Sequence, residues 1–207
     1  MMMKWIPVVL TLFLAACSSD AKKTYYQLPT LNPSATVSAP VVTGGGLTNA
    51  GGLTPANQPR RLWISQVNVA DFLNSSSSGL VYQTNDVQYV MAANNVWASP
   101  LDQQLQQTLQ TYLSRDLPNW VVSSQQASDD NQEEISVNVT GFHGRHDGRA
   151  VISGSWTLTK DGQASQHYFS TVLKQDEDGY DALVRTLATG WKQQVDAMAQ
   201  QITGPAN

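Results

Sequence analysis

Residues 99–118 read SPLDQQLQQTLQTYLSRDLP. Leu101, Leu105, Leu109, Tyr112, Leu113 and Leu117 recur at the spacing of one helical face, with Gln and Thr opposite. Ser99 is placed to cap this helix, Pro100 suits its first position, and Asp102 stands where a capping box takes an acid. Pro118 stops it. A single apolar stripe of this length needs a surface to cover, and the flanking segments supply one.

Toward the N-terminus, Val87–Met91 and Leu80–Gln83 read as strands, with Asn94 and Asn95 expected to break the chain after the first of these. Asn74–Gly79 is a turn, preceded by Asp71-Phe72-Leu73. Leu62–Val69 alternates in part, with Trp63, Val67 and Val69 on one face and Leu62 and Ile64 on the other. Toward the C-terminus, Trp120-Val121-Val122 is a short strand and Asp129–Glu134 an acidic loop. Ile135, Val137 and Val139 alternate with polar residues, as do Ala150, Ile152, Trp156 and Leu158, and His167–Leu173 forms a further strand. Arg145-His146-Asp147-Gly148 and Asp161-Gly162 are the turns of this meander. Tyr180, Leu183, Val184, Leu187, Trp191, Val195, Met198 and Ile202 stripe a long last helix, closed by Gly204-Pro205. The order implies a single α/β domain, with α+β the alternative class: a mixed β-sheet with a hairpin meander and two amphipathic helices covering one or both faces.

The chain has 207 residues, with 12 Lys+Arg against 16 Asp+Glu and a net charge of −4. Only 14% of residues are charged, against roughly 25% in ordinary domains. No basic stripe is present, which argues against nucleic acid as a partner. The single cysteine excludes an intramolecular disulfide framework and any zinc site made of several thiolates.

That cysteine lies near the N-terminus. A short positive start, Met1–Lys4, precedes an apolar run from Trp5 to Ala16, too short for a bilayer span of about 20 residues but right for a secretory signal. The run ends Leu14-Ala15-Ala16-Cys17, which looks like a lipobox: an apolar residue, two small ones, then the thiol that takes a diacylglycerol. Residues 1–16 are therefore expected to be removed as a signal peptide, and Cys17 to carry N-acyl and S-diacylglycerol chains. Several chains together anchor firmly where one alone is marginal. Ser18, rather than Asp, follows the cysteine and by the usual sorting rule directs the protein to the outer membrane, facing the periplasm.

Residues 17–23 form a lipidated tether, and Thr24–Leu28 reads as a strand. Residues 29–59 hold five of the nine prolines and five of the fourteen glycines, with no charge between Lys23 and Arg60. Such a stretch cannot bury enough surface to offset its ordering entropy, so it is expected to be a flexible insertion in a domain spanning 24–207.

No catalytic constellation is legible. His143-Gly144-Arg145-His146-Asp147 gathers two histidines and an acid, but a glycine-flanked hairpin tip commonly exposes such residues, and no metal site is assigned to it. No serine sits in a Gly-x-Ser-x-Gly elbow, and Gly44-Gly45-Gly46 opens no helix that could bind phosphate. Trp63, Trp97, Trp120, Trp156 and Trp191 read as core residues, with one or two of them at a subunit or lipid-facing surface as the sharper alternative.

The run Leu80–Val90 leading into Asn94-Asn95-Val96-Trp97-Ala98-Ser99-Pro100-Leu101-Asp102-Gln103-Gln104-Leu105 resembles the ABC-type transport auxiliary lipoproteins. Tyr25-Tyr26-Gln27-Leu28, Phe142-His143-Gly144-Arg145, Ile152-Ser153-Gly154 and Asp178-Gly179-Tyr180-Asp181 extend the likeness over nearly all of the mature chain, with the Pro29–Pro59 stretch longer and richer in glycine than usual. The resemblance implies an outer-membrane lipoprotein of an MCE-type system that moves lipids between membranes and supports envelope integrity. It implies a ring-forming homo-oligomer that docks a periplasm-spanning MCE-domain tunnel, with no cofactor and no catalytic residues. The loops at Gly79–Asn95 and Arg145–Arg149 are the expected partner-facing edge. A lipid-carrying shuttle and an envelope hydrolase are the rival readings.

Overall fold

The computed structural model describes residues 22–30, 59–74, 78–127 and 132–204. The expected signal segment, Cys17, Ser18 and residues 31–58 of the Pro/Gly-rich insertion lie outside these. Ten elements follow in order: β1 (Thr24–Tyr26), β2 (Arg60–Val69), β3 (Gly79–Asn85), β4 (Gln88–Trp97), α1 (Leu101–Asp116), β5 (Trp120–Ser123), β6 (Gln132–Arg145), β7 (Arg149–Lys160), β8 (Gln163–Lys174) and α2 (Tyr180–Thr203). This is the mixed sheet with two helices expected from the alternation.

β6 organises the eight-stranded sheet. Its first half lies parallel to β2, and its last residues lie parallel to β3, where Tyr82 pairs with Gly144. Its other edge runs antiparallel to β7, which in turn pairs with β8. β4 returns antiparallel on β3, β1 adds parallel to β4, and β5 adds parallel to β2. At the Asp161-Gly162 turn both residues have positive φ, 50° and 75°, as a tight two-residue hairpin requires.

Both helices cover the same face of the sheet. α1 packs on β2 and β5, α2 on β7 and β8, and the two touch each other. The expected stripes are the buried faces: Leu101, Leu105, Leu109, Tyr112 and Leu113 of α1, and Leu183, Val184, Leu187, Trp191, Val195, Met198 and Ile202 of α2. Each such Leu or Ile contributes about 1.5–3 kcal/mol of transfer free energy. α2 approaches β7 closely at Gly190, where a Cβ would lie 2.4 Å from Ile152 Cδ1.

Five local expectations are corrected. β2 splits its apolar residues differently from the reading: Trp63 stays opposite Leu62 and Ile64, but a bulge between Ile64 and Gln66 brings Val67 and Val69 onto the core side. Asn94 and Asn95 do not break β4, because β1 pairs with Asn95–Trp97 and the Tyr26 hydroxyl donates to Asn95 Oδ1 at 3.2 Å. Glu133 and Glu134 belong to β6 rather than to a loop. Glu133 is buried because Arg60 of β2 and Lys160 of β7 flank its carboxylate. α1 starts one residue later than read, with Pro100 as its cap and no side-chain capping bond from Ser99 or Asp102. Gln104 ties the first turn instead, its Nε2 donating to the Ser99 carbonyl. At the other end, α2 closes on Gly204 in an extended, not left-handed, conformation.

Candidate functional site

The segment following the tether is tied down at several points. After β1, the Ala98 amide donates to the Tyr26 carbonyl at 2.7 Å. The Leu28 side chain is buried, and its amide donates to Gln104 Oε1 at 2.8 Å. The Tyr112 hydroxyl donates to the Pro29 carbonyl at 3.3 Å. Burial, and then a hydrogen bond with Asp181, raise the pKa of the Tyr26 hydroxyl. Lys22, Lys23 and Tyr25, by contrast, are exposed. Because β1 is parallel to β4, Lys23 enters β1 from the side of β4's first residue, Gln88.

At that same end the β3–β4 hairpin forms a two-stranded ribbon whose residues 85–91 are all exposed. Val87 is 89% exposed, Met91 50%, Val90 45% and Tyr89 43%. Neighbouring residues point to opposite faces of a strand, so the ribbon is apolar on both sides. At its base the Tyr89 ring meets Phe72 at 5.1 Å and stands edge-on to His143 at 5.1 Å. The turn at residues 145–149 lies at the same end, since the His146 amide donates to the Gln83 carbonyl at 2.9 Å. Its charges are internally matched: Arg145 and Arg149 both reach Asp147.

The histidines considered for a metal do not converge. His143 is 4% exposed, packed against Tyr89, with a ring nitrogen 3.0 Å from the Gly144 carbonyl. Burial lowers its pKa. His146 sits in the turn and lines a separate groove with Tyr82, Tyr180 and Leu183. Among the described residues no three His, Cys, Asp or Glu side chains are grouped to hold an ion. Of the five tryptophans, Trp97, Trp156 and Trp191 are core residues, whereas Trp63 and Trp120 are half-buried, the latter under the Arg60 guanidinium at 3.9 Å.

A second surface is the outer edge of β8. Among the described residues this twelve-residue strand pairs only with β7. Tyr168 and Val172, on the sheet face away from the helices, are 78% and 43% exposed. Between β8 and α2 runs a groove of about 490 Å³ whose walls include Lys174, Asp176, Glu177 and Arg185. No helix among the described residues is long and apolar enough to cross a membrane.

Residues 47–199 match the model of the ABC-type transport auxiliary lipoprotein component. The chain belongs to that family. It is 44% identical, over 97% of its own length and 98% of theirs, to the intermembrane transport lipoproteins PqiC of Escherichia coli and Shigella flexneri. A crystal structure of an uncharacterized protein, 45% identical, superposes with a TM-score of 0.71 over 88% of this chain and 99% of that one. A Xanthomonas campestris protein shares the fold at 16% identity, with a TM-score of 0.58 over 73% of this chain and 90% of that one. The relatives are thus named for transport between membranes, and the resemblance carried by the Trp97–Leu105 run extends over the whole auxiliary lipoprotein fold.

Besides Glu133, read as loop, and His143, read at an exposed hairpin tip, sequence reading missed two further buried polar residues, Gln104 and Thr108, both on the covered face of α1. Their signal was available. They stand three residues after Leu101 and Leu105, inside the apolar stripe rather than opposite it.

Proposed function

We propose that this auxiliary lipoprotein is the outer-membrane subunit of an MCE-type system that moves lipid between the two membranes and maintains envelope integrity. Its role is to dock the periplasmic tunnel, without catalysis. The observation that carries the reading is the identity of 44% with intermembrane transport lipoproteins over 97% of the chain. Acyl chains on Cys17 hold it in the membrane, and Ser18 sorts it to the outer one.

Its oligomer is built through the sheet. One edge is the long β8, while the short β1 and β5 end the rest of the sheet. Unpaired strand edges are templates for pairing. Joining unlike edges is a head-to-tail contact, which closes into a ring when the rotation permits. The lipid-shuttle alternative needs an apolar pocket, and the groove beside α2 is walled by charged residues instead.

The loops at Gly79–Asn95 and Arg145–Arg149, expected to face the partner, lie at the end from which the chain enters β1. In-cell photo-crosslinking from probes along β8 and on the Asp161-Gly162 turn, away from that end, therefore tests the assignment. Crosslinks to a second copy and to an MCE-domain protein are expected. Crosslinks to neither, together with turnover of an envelope ester or glycan, would replace docking by hydrolysis. Ser18→Asp is expected to move the protein to the inner-membrane fraction of a density gradient, and an unchanged position would remove the basis for the outer-membrane assignment. Cys17→Ala is expected to release it from washed membranes altogether.

A further inference from the structure

We infer that the apolar tip of the β3–β4 ribbon, residues 86–91, inserts into the interfacial layer of the bilayer that holds the acyl chains of Cys17. The inference rests on the lipid-anchor reading and adds a second, protein-borne contact with lipid.

Reach is the first argument. Seven residues lead from Cys17 to Thr24, so the tether spans at most about 25 Å. Thr24 lies beside Asn95, and β4 runs from there back to the tip, but a bulge sets its residues 91–96 against only Gly79–Val81 of β3, so Val87 is roughly 20 Å away. Lys22 and Lys23, the described end of the tether, enter β1 from the side of the ribbon. Even a fully extended tether therefore brings Cys17 only about 5 Å past Val87. Any slack brings the bilayer down over the tip.

Chemistry is the second argument. Val87, Tyr89, Val90 and Met91 expose apolar surface on both sides of a two-stranded ribbon. The Tyr89 side already rests on Phe72 and His143 at the base, and Val87 projects beyond it to the very tip. Tyr89 has the amphipathic ring that favours the membrane interface. The contact is not ionic: Asp86 sits on the tip itself, and the arginines of the adjacent turn are already matched by Asp147.

The test uses the full lipidated chain in phosphatidylcholine vesicles, with the modified Cys17 leaving Val87→Cys as the only free thiol. A polarity-sensitive dye at position 87 is expected to shift to the blue and to be quenched several-fold more by spin-labelled lipid than the same dye at Gly162→Cys. The quenching should persist at about 1 M salt, where charges are screened beyond ~3 Å. Flotation of the vesicles reads the anchor separately. Protein that floats while position 87 remains unquenched overturns the insertion and leaves the anchor standing. Protein that does not float overturns both. A blue shift that appears equally without lipid assigns the tip to a protein interface and overturns the inference.

Discussion

Trp191 and Thr108 meet where the two helices cross. The indole Nε1–H donates to Thr108 Oγ1 at 2.9 Å, and the Thr108 hydroxyl donates in turn to the Gln104 carbonyl at 2.8 Å. A buried tryptophan N–H needs such an acceptor. Thr108→Val keeps the shape and removes the acceptor, so it should cost about 1–3 kcal/mol, read as a lower urea midpoint with unchanged slope. His143 sets a pH limit. Burial favours its neutral ring, Arg145 adds to this, and the Gly144 carbonyl opposes it, leaving the folded pKa below the ordinary 6.5. The unfolded chain therefore takes up the proton first as pH falls. The contribution of His143 is whole above about pH 6.5 and is lost as pH drops toward the folded value. The melting temperature of the wild type should thus fall further between about pH 7 and pH 5 than that of His143→Gln. An equal fall in both proteins would assign the acid sensitivity to other groups.

Two glycines make opposite demands on their elements. A Cβ on Gly154 of β7 would lie 2.2 Å from the Asn138 carbonyl oxygen and 2.7 Å from Phe169 Cζ, beside the register shift between Val139 and Gly141. The backbone cannot yield there, so Gly154→Ala should cost at least about 1–3 kcal/mol. A Cβ on Gly190 of α2 would press instead on the movable end of Ile152, and alanine brings back about 1 kcal/mol of helix propensity. Gly190→Ala should leave the melting temperature within a few degrees of wild type, and a fall as large as that of Gly154→Ala would show that Ile152 has no room to turn. The elements themselves are legible because each helix carries one apolar stripe and the meander alternates over most of its length between tight turns. What escaped the sequence lies where pairing overrides local preference. Asn94 and Asn95 are poor strand formers, but β1 lies alongside Asn95. Glu133 looks like loop, but two cations from neighbouring strands hold it. A bulge at Ser65 changes the parity of β2, and no periodicity count anticipates the extra residue. The surfaces are partly legible: the Gly79–Asn95 loop stands out in the sequence, but the exposure of its tip depends on how far the ribbon extends beyond the contacts of Tyr89 with Phe72 and His143.

At the scale of the whole molecule, β1 and Leu28 fasten the tether to the domain. Leu28→Ala should cost about 2–5 kcal/mol and speed hydrogen exchange at Asn95–Trp97, while exchange in the β6–β7 pair stays slow in proportion to the remaining stability. Equal acceleration everywhere would mean that the segment unfolds only with the rest. The parallel pairing of β1 with β4 also has a mechanical meaning. On the proposed reading, a long partner drags on the domain and acyl chains on Cys17 pull back through Lys23 along the axis of β1. That load shears the strand's hydrogen bonds together instead of peeling them one at a time, and Leu28 beyond them sits like a knot behind an eyelet. An antiparallel β1 would have turned the same pull into an unzipping force, so the direction of three residues helps decide whether the domain stays on its leash under tension.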